Sequence, residues 1–270
     1  MPFRPNPWIP LLCWTLAGAA PAARASAFAW PKDRGCAVSL TYDDALQSQI
    51  DNVGPALQKR GLRATFFLSD PAGSVEAHAA AWKALEKDGQ ELACHTILHP
   101  CGGSQSWVKP GDALEDYNLA RMAKELQSSM SLLESLGASP PLSFAFPCGE
   151  TWVGKKHVSY IPLVRKDFLA ARGVDQDLAD PNTVDLYQVP IVNGTGTNGP
   201  YLISAVQEAQ KDGSWVVFMF HGVGGDYLQV PLKAHDQLLD YLQAHKQVWT
   251  APFGQVAGWI KSARKETAQK

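Results

Sequence analysis

A chain of 270 residues with a net charge of -2 and 19% charged residues lacks the basic surplus of a nucleic-acid binder and any block of like charge that would read as a tail. Its length and 46% hydrophobic content suit one globular domain or a large barrel. The N-terminus has the anatomy of a leader: Arg4 with no acidic residue over 1–7, a short apolar run over 8–20, and small-x-small sites at Ala23-Arg24-Ala25 and Ala25-Ser26-Ala27. That run is too short to span a bilayer comfortably. Residues 1–25 are therefore expected to be a signal peptide, with an uncleaved anchor as the alternative, and 26–270 to fold as one exported domain.

From Cys36 onward, short apolar runs alternate with amphipathic stretches. Strand-like runs occupy 36–42, 64–68, 91–94, 143–146, 168–171, 187–192, 215–220 and 248–251. Helical spacing covers 45–60 (Leu46, Ile50, Val53, Leu57, then Gly61), 75–88 (then Gly89) and 114–136 (Met122, Leu126, Met130, Leu133, then Gly137). Further helical segments are expected over 202–211, 232–245 and 253–265. Strands alternating with helices indicate βαβ units, an α/β fold and a parallel sheet, and about eight strands favour closure into a barrel. Chemistry then belongs at the carboxyl ends of the strands. Asp43-Asp44, His95, the Pro147-Cys148-Gly149 turn, Arg172 and His221 all fall at that end. Residues 100–113 and 193–200 read as rim loops over it.

Beyond the leader there are four cysteines, Cys36, Cys94, Cys101 and Cys148, which allow three full pairings. Cys36 opens one predicted strand and Cys94 closes another, whereas disulfide Cα atoms must lie within about 7 Å. Cys101 and Cys148 are both in loops beside candidate site residues, so that pair is the expected disulfide, with Cys36 and Cys94 as buried thiols.

Three patches can carry chemistry. Adjacent aspartates after a buried strand can divide labour, one binding a metal and the other taking a proton from bound water; equally, either can cap the following helix. His95 and His99 with a carboxylate form a common ligand set for a catalytic divalent ion, although capping or core histidines have the same spacing. His221, after the apolar run 215–220, can protonate a leaving group or be a satisfied structural histidine. His78, His157, His235 and His245 read as solvated surface.

Together these patches carry a resemblance. Thr41-Tyr42-Asp43-Asp44-Ala45 resembles the Thr-Phe-Asp-Asp-Gly motif of the polysaccharide deacetylases, the NodB-homology group of carbohydrate esterase family four. His95-Thr96-Ile97-Leu98-His99-Pro100 resembles their His-Ser/Thr-x-x-His-Pro motif, and Phe220-His221 their final Leu-His. The resemblance spans about residues 35–260 and implies a distorted (β/α) barrel, usually of seven parallel strands, that removes acetyl groups from carbohydrate with a divalent metal, zinc being the expected ion. By position it implies Asp43 as the base, Asp44, His95 and His99 as metal ligands, and His221 as the acid. The expected substrate is an acetylated oligo- or polysaccharide, with N-acetyl groups of an amino-sugar polymer preferred. O-acetyl ester hydrolysis, for example on acetylated xylan, and a non-catalytic carbohydrate-binding relative are the alternatives.

Two departures stand out. The motif Arg-x-Pro-x-Gly is Ala145-Phe146-Pro147-Cys148-Gly149 here, so the guanidinium that orients the base is missing. The Cys148 backbone N–H can still stabilise an oxyanion, and Arg172 is the candidate replacement for the missing charge. The Asp often found after the final His is Gly222, which leaves Asp185 as the candidate partner of His221. Trp107, Trp152 and Tyr227 are the aromatics that could stack on sugar rings.

Overall fold

The computed structural model describes residues 28–268; the expected leader lies outside them. In chain order the elements are β1 (Cys36–Asp43), α1 (Gly54–Arg60), β2 (Thr65–Leu68), α2 (Ser74–Ala77), α3 (Ala79–Lys87), β3 (Glu91–Cys94), α4 (Leu119–Ser135), β4 (Phe144–Ala145) and a small hairpin of β5 (Trp152–Val153) and β6 (Val158–Ser159). They continue with α5 (Ile161–Asp167), β7 (Ala171–Gln176), β8 (Val189–Asn193), α6 (Gly199–Asp212), β9 (Trp215–Phe220), α7 (Leu232–Ala244), β10 (Val248–Thr250) and α8 (Phe253–Ala268). Parallel pairing runs β1-β2-β3-β4-β7-β8-β9 and returns to β1, where Ala37 faces Trp215 and Tyr42 faces Phe220 in register. The result is a closed seven-stranded parallel barrel with helices outside, as expected. The eighth apolar run is β10, which among the described residues pairs only with Cys36–Val38 at the start of β1.

The period of two along each strand sorts side chains into two cores. One set, including Val38, Leu40, Tyr42, Phe66, Leu92, Phe144, Val216 and Phe218, packs against helix residues such as Leu57, Leu126, Val206 and Leu238. The alternate set, Ala37, Phe67, Ala93, Ala145, Trp215, Val217 and Met219, fills the barrel together with Phe253. At its lower end the Glu91 carboxylate accepts from Thr65 Oγ1 (2.7 Å), Ser143 Oγ (2.6 Å) and the Gly254 N–H (2.9 Å). An anion at the first turn of α8 is favoured by the unpaired N–H groups there.

Several predicted boundaries move. The run 168–171 only leads into its strand; β7 continues through Asp175 and Gln176, whose exposed side chains gave no apolar signal. The predicted helix 45–60 starts later, through a π-helical turn at Gln49–Val53, because Asp44 and Ala45 adopt left-handed backbone (φ 76° and 54°). His78 divides 75–88 into α2 and α3. The segment 114–136 opens with a 3-10 turn, and α4 begins after Asn118, whose side chain accepts the Arg121 N–H. His235, read as surface, is fully buried: its Nε2 lies 2.7 Å from the Tyr42 hydroxyl. A tyrosine stacked between Phe66 and Phe220 needs a polar partner for its hydroxyl, and α7 supplies it. The hairpin β5–β6 and helix α5 are elements the periodicity did not predict.

Candidate active site

The inward-facing layers end in polar residues at one mouth of the barrel. Ala37, Ser39 and Thr41 lead to Asp43 on β1, Ala93 to His95 after β3, and Val217 and Met219 to His221 after β9. All are two residues apart and so share the strand's inner face. A continued strand would turn Asp44 outward. Its left-handed backbone breaks the alternation, and Asp44 Oδ1 instead lies 3.5 Å from His95 Nε2 and 3.4 Å from His99 Nε2. His99 is likewise at positive φ (50°), as are Thr96 (62°) and Cys148 (54°). Such a concentration of non-glycine residues in this region is typical of sites where geometry outweighs local strain.

Asp44, His95 and His99 present ligand atoms within 4.8 Å of one another. His95 Nδ1 is 2.8 Å from the Ala145 carbonyl. A proton there leaves the Nε2 lone pair directed at the Asp44 side, as metal ligation requires. Burial chiefly pushes the His95 imidazole down to about 4, against the pull of Asp43, and burial together with the charge of His95 does the same to His99. Both rings are therefore neutral near pH 7, the form that binds a metal. The donor set of one carboxylate and two neutral imidazoles fits a divalent ion with positions left over for water and substrate. Cys101 and Cys148 also lie near His99, but they are joined as a disulfide (Cα–Cα 5.9 Å), as expected, which removes their sulfurs as thiolate ligands. Cys36 and Cys94 are buried free thiols.

Asp43 is buried beside this trio. Its Oδ2 receives Arg172 Nη2 at 2.5 Å and stands 4.0 Å from His95 Nε2, while its Oδ1 is buried with no hydrogen-bond partner among the described residues. Burial raises the carboxyl's pKa, but the nearby charges of Arg172, His95 and His221 outweigh it and hold the group below the usual range. Arg172 does not end its strand; it is the second residue of β7, in register with Ala145 on β4. The guanidinium absent from position 145 thus enters from the adjacent strand at the same level, over the small Ala145 side chain.

His221 Nε2 is 3.7 Å from Asp44 Oδ2, and its buried Nδ1 has no partner among the described residues. Asp185 does not reach it. That carboxylate is engaged at the surface, with Arg165 at 2.5 Å and the Tyr187 N–H, because the 184–188 turn leads into β8 rather than toward the mouth. Of the three aromatics, Trp107 is 63% exposed, Trp152 is stacked on His157 at 3.8 Å, and Tyr227 donates its hydroxyl to Asp44 Oδ2 at 2.8 Å.

Two supporting residues gave no sequence signal. Glu125, on α4, accepts the Ile97 and Leu98 N–H groups (3.0 and 2.5 Å) and so fixes the loop between the two histidines. Gln49 Nε2 donates to the carbonyls of Asp43 (2.6 Å) and His221 (3.2 Å), tying β1 to β9 just past the end of their ladder. A glutamate in an amphipathic helix and a glutamine after a loop are too common to single out.

Residues 31–159 match the family model described as polysaccharide deacetylase. Over this segment, 129 of the 270 residues, the chain is similar to the polysaccharide deacetylase family. Among solved structures, the fold matches a polysaccharide deacetylase described as putative from Mycobacterium smegmatis with TM-score 0.64 at 16% identity, covering 88% of this chain and 94% of that one. It matches PuuE allantoinase almost as well, with TM-score 0.63 at 15% identity and 87% and 93% coverage. These identities establish a common barrel and nothing about substrate. A gellan lyase from Bacillus sp. is 25% identical over 156 residues, which are 58% of this chain but only 5% of the lyase. Among the described residues no helix is long and apolar enough to cross a membrane.

Proposed function

We propose that this chain is a polysaccharide deacetylase and hydrolyses acetyl groups on carbohydrate with a divalent ion, zinc by the chemistry of its donors, held by Asp44, His95 and His99. The observation that carries the proposal is the division of labour between adjacent carboxylates: Asp44 faces two neutral imidazoles, while Asp43, 2.5 Å from Arg172, keeps a buried Oδ1 with no partner among the described residues. A bound ion would polarise the acetyl carbonyl and acidify water at the same position. Asp43 then serves as general base, its ionised form favoured and its orientation fixed by Arg172. The backbone N–H of Cys148, on the turn after β4, is assigned to the developing oxyanion. His221, on the opposite side of Asp44 from His99, delivers a proton to the departing group.

An acid in that place favours amide over ester substrates, because an amine must be protonated as it leaves whereas an alkoxide leaves more readily. N-acetyl groups of an amino-sugar polymer are therefore the proposed substrate. The leader-like sequence of residues 1–25 supports export of the domain 26–270 from the cytoplasm. Acetate release from N-acetylated chito-oligosaccharide and from acetylated xylan, before and after chelation, tests the reading. Faster release from the amide, abolished by chelator and restored by Zn²⁺, is expected; release from xylan alone would transfer the assignment to ester hydrolysis.

A further inference from the structure

The loop between β9 and α7 does more than carry His221. Gly222, standing where the family often has an Asp, is required by the backbone: a Cβ there would lie 2.0 Å from the Gly225 carbonyl oxygen and 2.8 Å from that of Tyr227. With no side chain in the way, the loop folds back on itself, the Gly222 N–H donating to Tyr227 O (3.1 Å) and the Val230 N–H to Gly222 O (2.9 Å). It is also fastened on two sides. The Ser48 N–H donates to Asp226 (2.8 Å), Asn52 to Val223 O (2.8 Å), Thr195 to Leu228 O (3.2 Å) and the Gly196 N–H to Gln229 O (2.9 Å). This closure brings the Tyr227 hydroxyl 2.8 Å from Asp44 Oδ2, on the oxygen opposite the one that faces His95 and His99. The Tyr227 ring, 54% exposed, stands with its centroid 6.2 Å from that of His221.

We propose that Tyr227 is a positioning residue for the metal-binding carboxylate and that its ring forms the wall on the leaving-group side of the site. The inference rests on the assignment of Asp44, His95 and His99 as metal ligands. A hydroxyl donating to one carboxylate oxygen leaves the other as the ligand atom and fixes its direction, the role that outer partners of metal ligands generally play. The exposed ring face beside the acid is apolar and rigid, suited to stack on the sugar from which the acetyl group is removed.

The test separates hydroxyl from ring in the full-length protein. Zn²⁺ affinity would be measured by competition with a chromophoric chelator, and kcat and KM with N-acetylated chito-oligosaccharide, for the wild type, Tyr227→Phe, Tyr227→Leu and Asp44→Asn. Tyr227→Phe is expected to weaken Zn²⁺ binding about 10-fold with KM unchanged. Tyr227→Leu is expected to show the same loss of affinity and a several-fold rise in KM. Wild-type Zn²⁺ affinity in Tyr227→Phe, with binding still lost in Asp44→Asn, would overturn the positioning role alone, and an unchanged KM in Tyr227→Leu would overturn the wall. Absence of Zn²⁺ binding by the wild type would overturn the ligand assignment and this inference with it.

Discussion

Arg172 reaches Asp43 inside the barrel, so replacing it with Leu leaves a buried carboxylate without its partner. Losing one member of such a pair costs about 3–5 kcal/mol, which thermal unfolding would register. The same substitution removes the charge that favours ionised Asp43, so the Asp43 pKa rises. The acidic limb of the kcat/KM profile is expected to move to higher pH, with a loss at the optimum of about 10²-fold or more. The need for a guanidinium was legible, because Ala145 interrupts a motif that otherwise fits. The strand that supplies it could only be guessed, since register between β4 and β7 is a property of pairing and not of either run. Ala45 is a second case: it occupies φ 54° where the family motif has Gly. Ala45→Gly should relieve about 1 kcal/mol of strain and raise the melting temperature, provided the turn that redirects Asp44 is unchanged.

At the scale of elements, the mouth is held by side chains that cross between them. Glu125 binds the 95–99 loop to α4. In Glu125→Leu the Ile97 and Leu98 N–H groups lose their acceptor, and metal affinity measured by chelator competition should fall about 10–100-fold, with Glu125→Gln retaining most of it. The Cys101–Cys148 disulfide joins the loop after His99 to the turn assigned to the oxyanion across a sequence separation of 47. Cysteine placement made this pairing legible, as did the amphipathic spacing of α4, α6 and α7. The helix after β1 was legible only in part. Its apolar face is present, but the sequence does not announce that Asp44 and Ala45 leave the strand through left-handed backbone, which lets two neighbouring carboxylates face the same cavity. Asp185 failed as a partner for the same kind of reason: proximity to a strand in sequence did not reveal which way its turn faces.

For the whole molecule, acid sensitivity follows from buried neutral imidazoles. Burial pushes His235 down to about 3, against an ordinary value of 6.5. Between these values the unfolded chain binds a proton that the folded one does not, so stability is fully present above about pH 6.5 and declines as pH falls toward 3. The slope is about 1.4 kcal/mol per pH unit for that group. In metal-free protein His95 and His99 add to it with the same sign down to about 4. Asp43 acts in a lower window, its contribution present above the ordinary carboxyl range and lost as pH falls through its lowered value. Urea midpoints of the metal-free protein should therefore drop steadily below pH 6.5, and His235→Gln should flatten that slope.

Metal-dependent deacetylation is tested most directly by the acetate released from N-acetylated chito-oligosaccharide by chelator-treated protein before and after Zn²⁺ is returned. The expected result is no release without the ion, recovery with it, and no recovery in Asp43→Asn, which keeps the ligand trio intact. Undiminished release by the metal-free protein, or full recovery in Asp43→Asn, would contradict the assignment of roles to the paired aspartates.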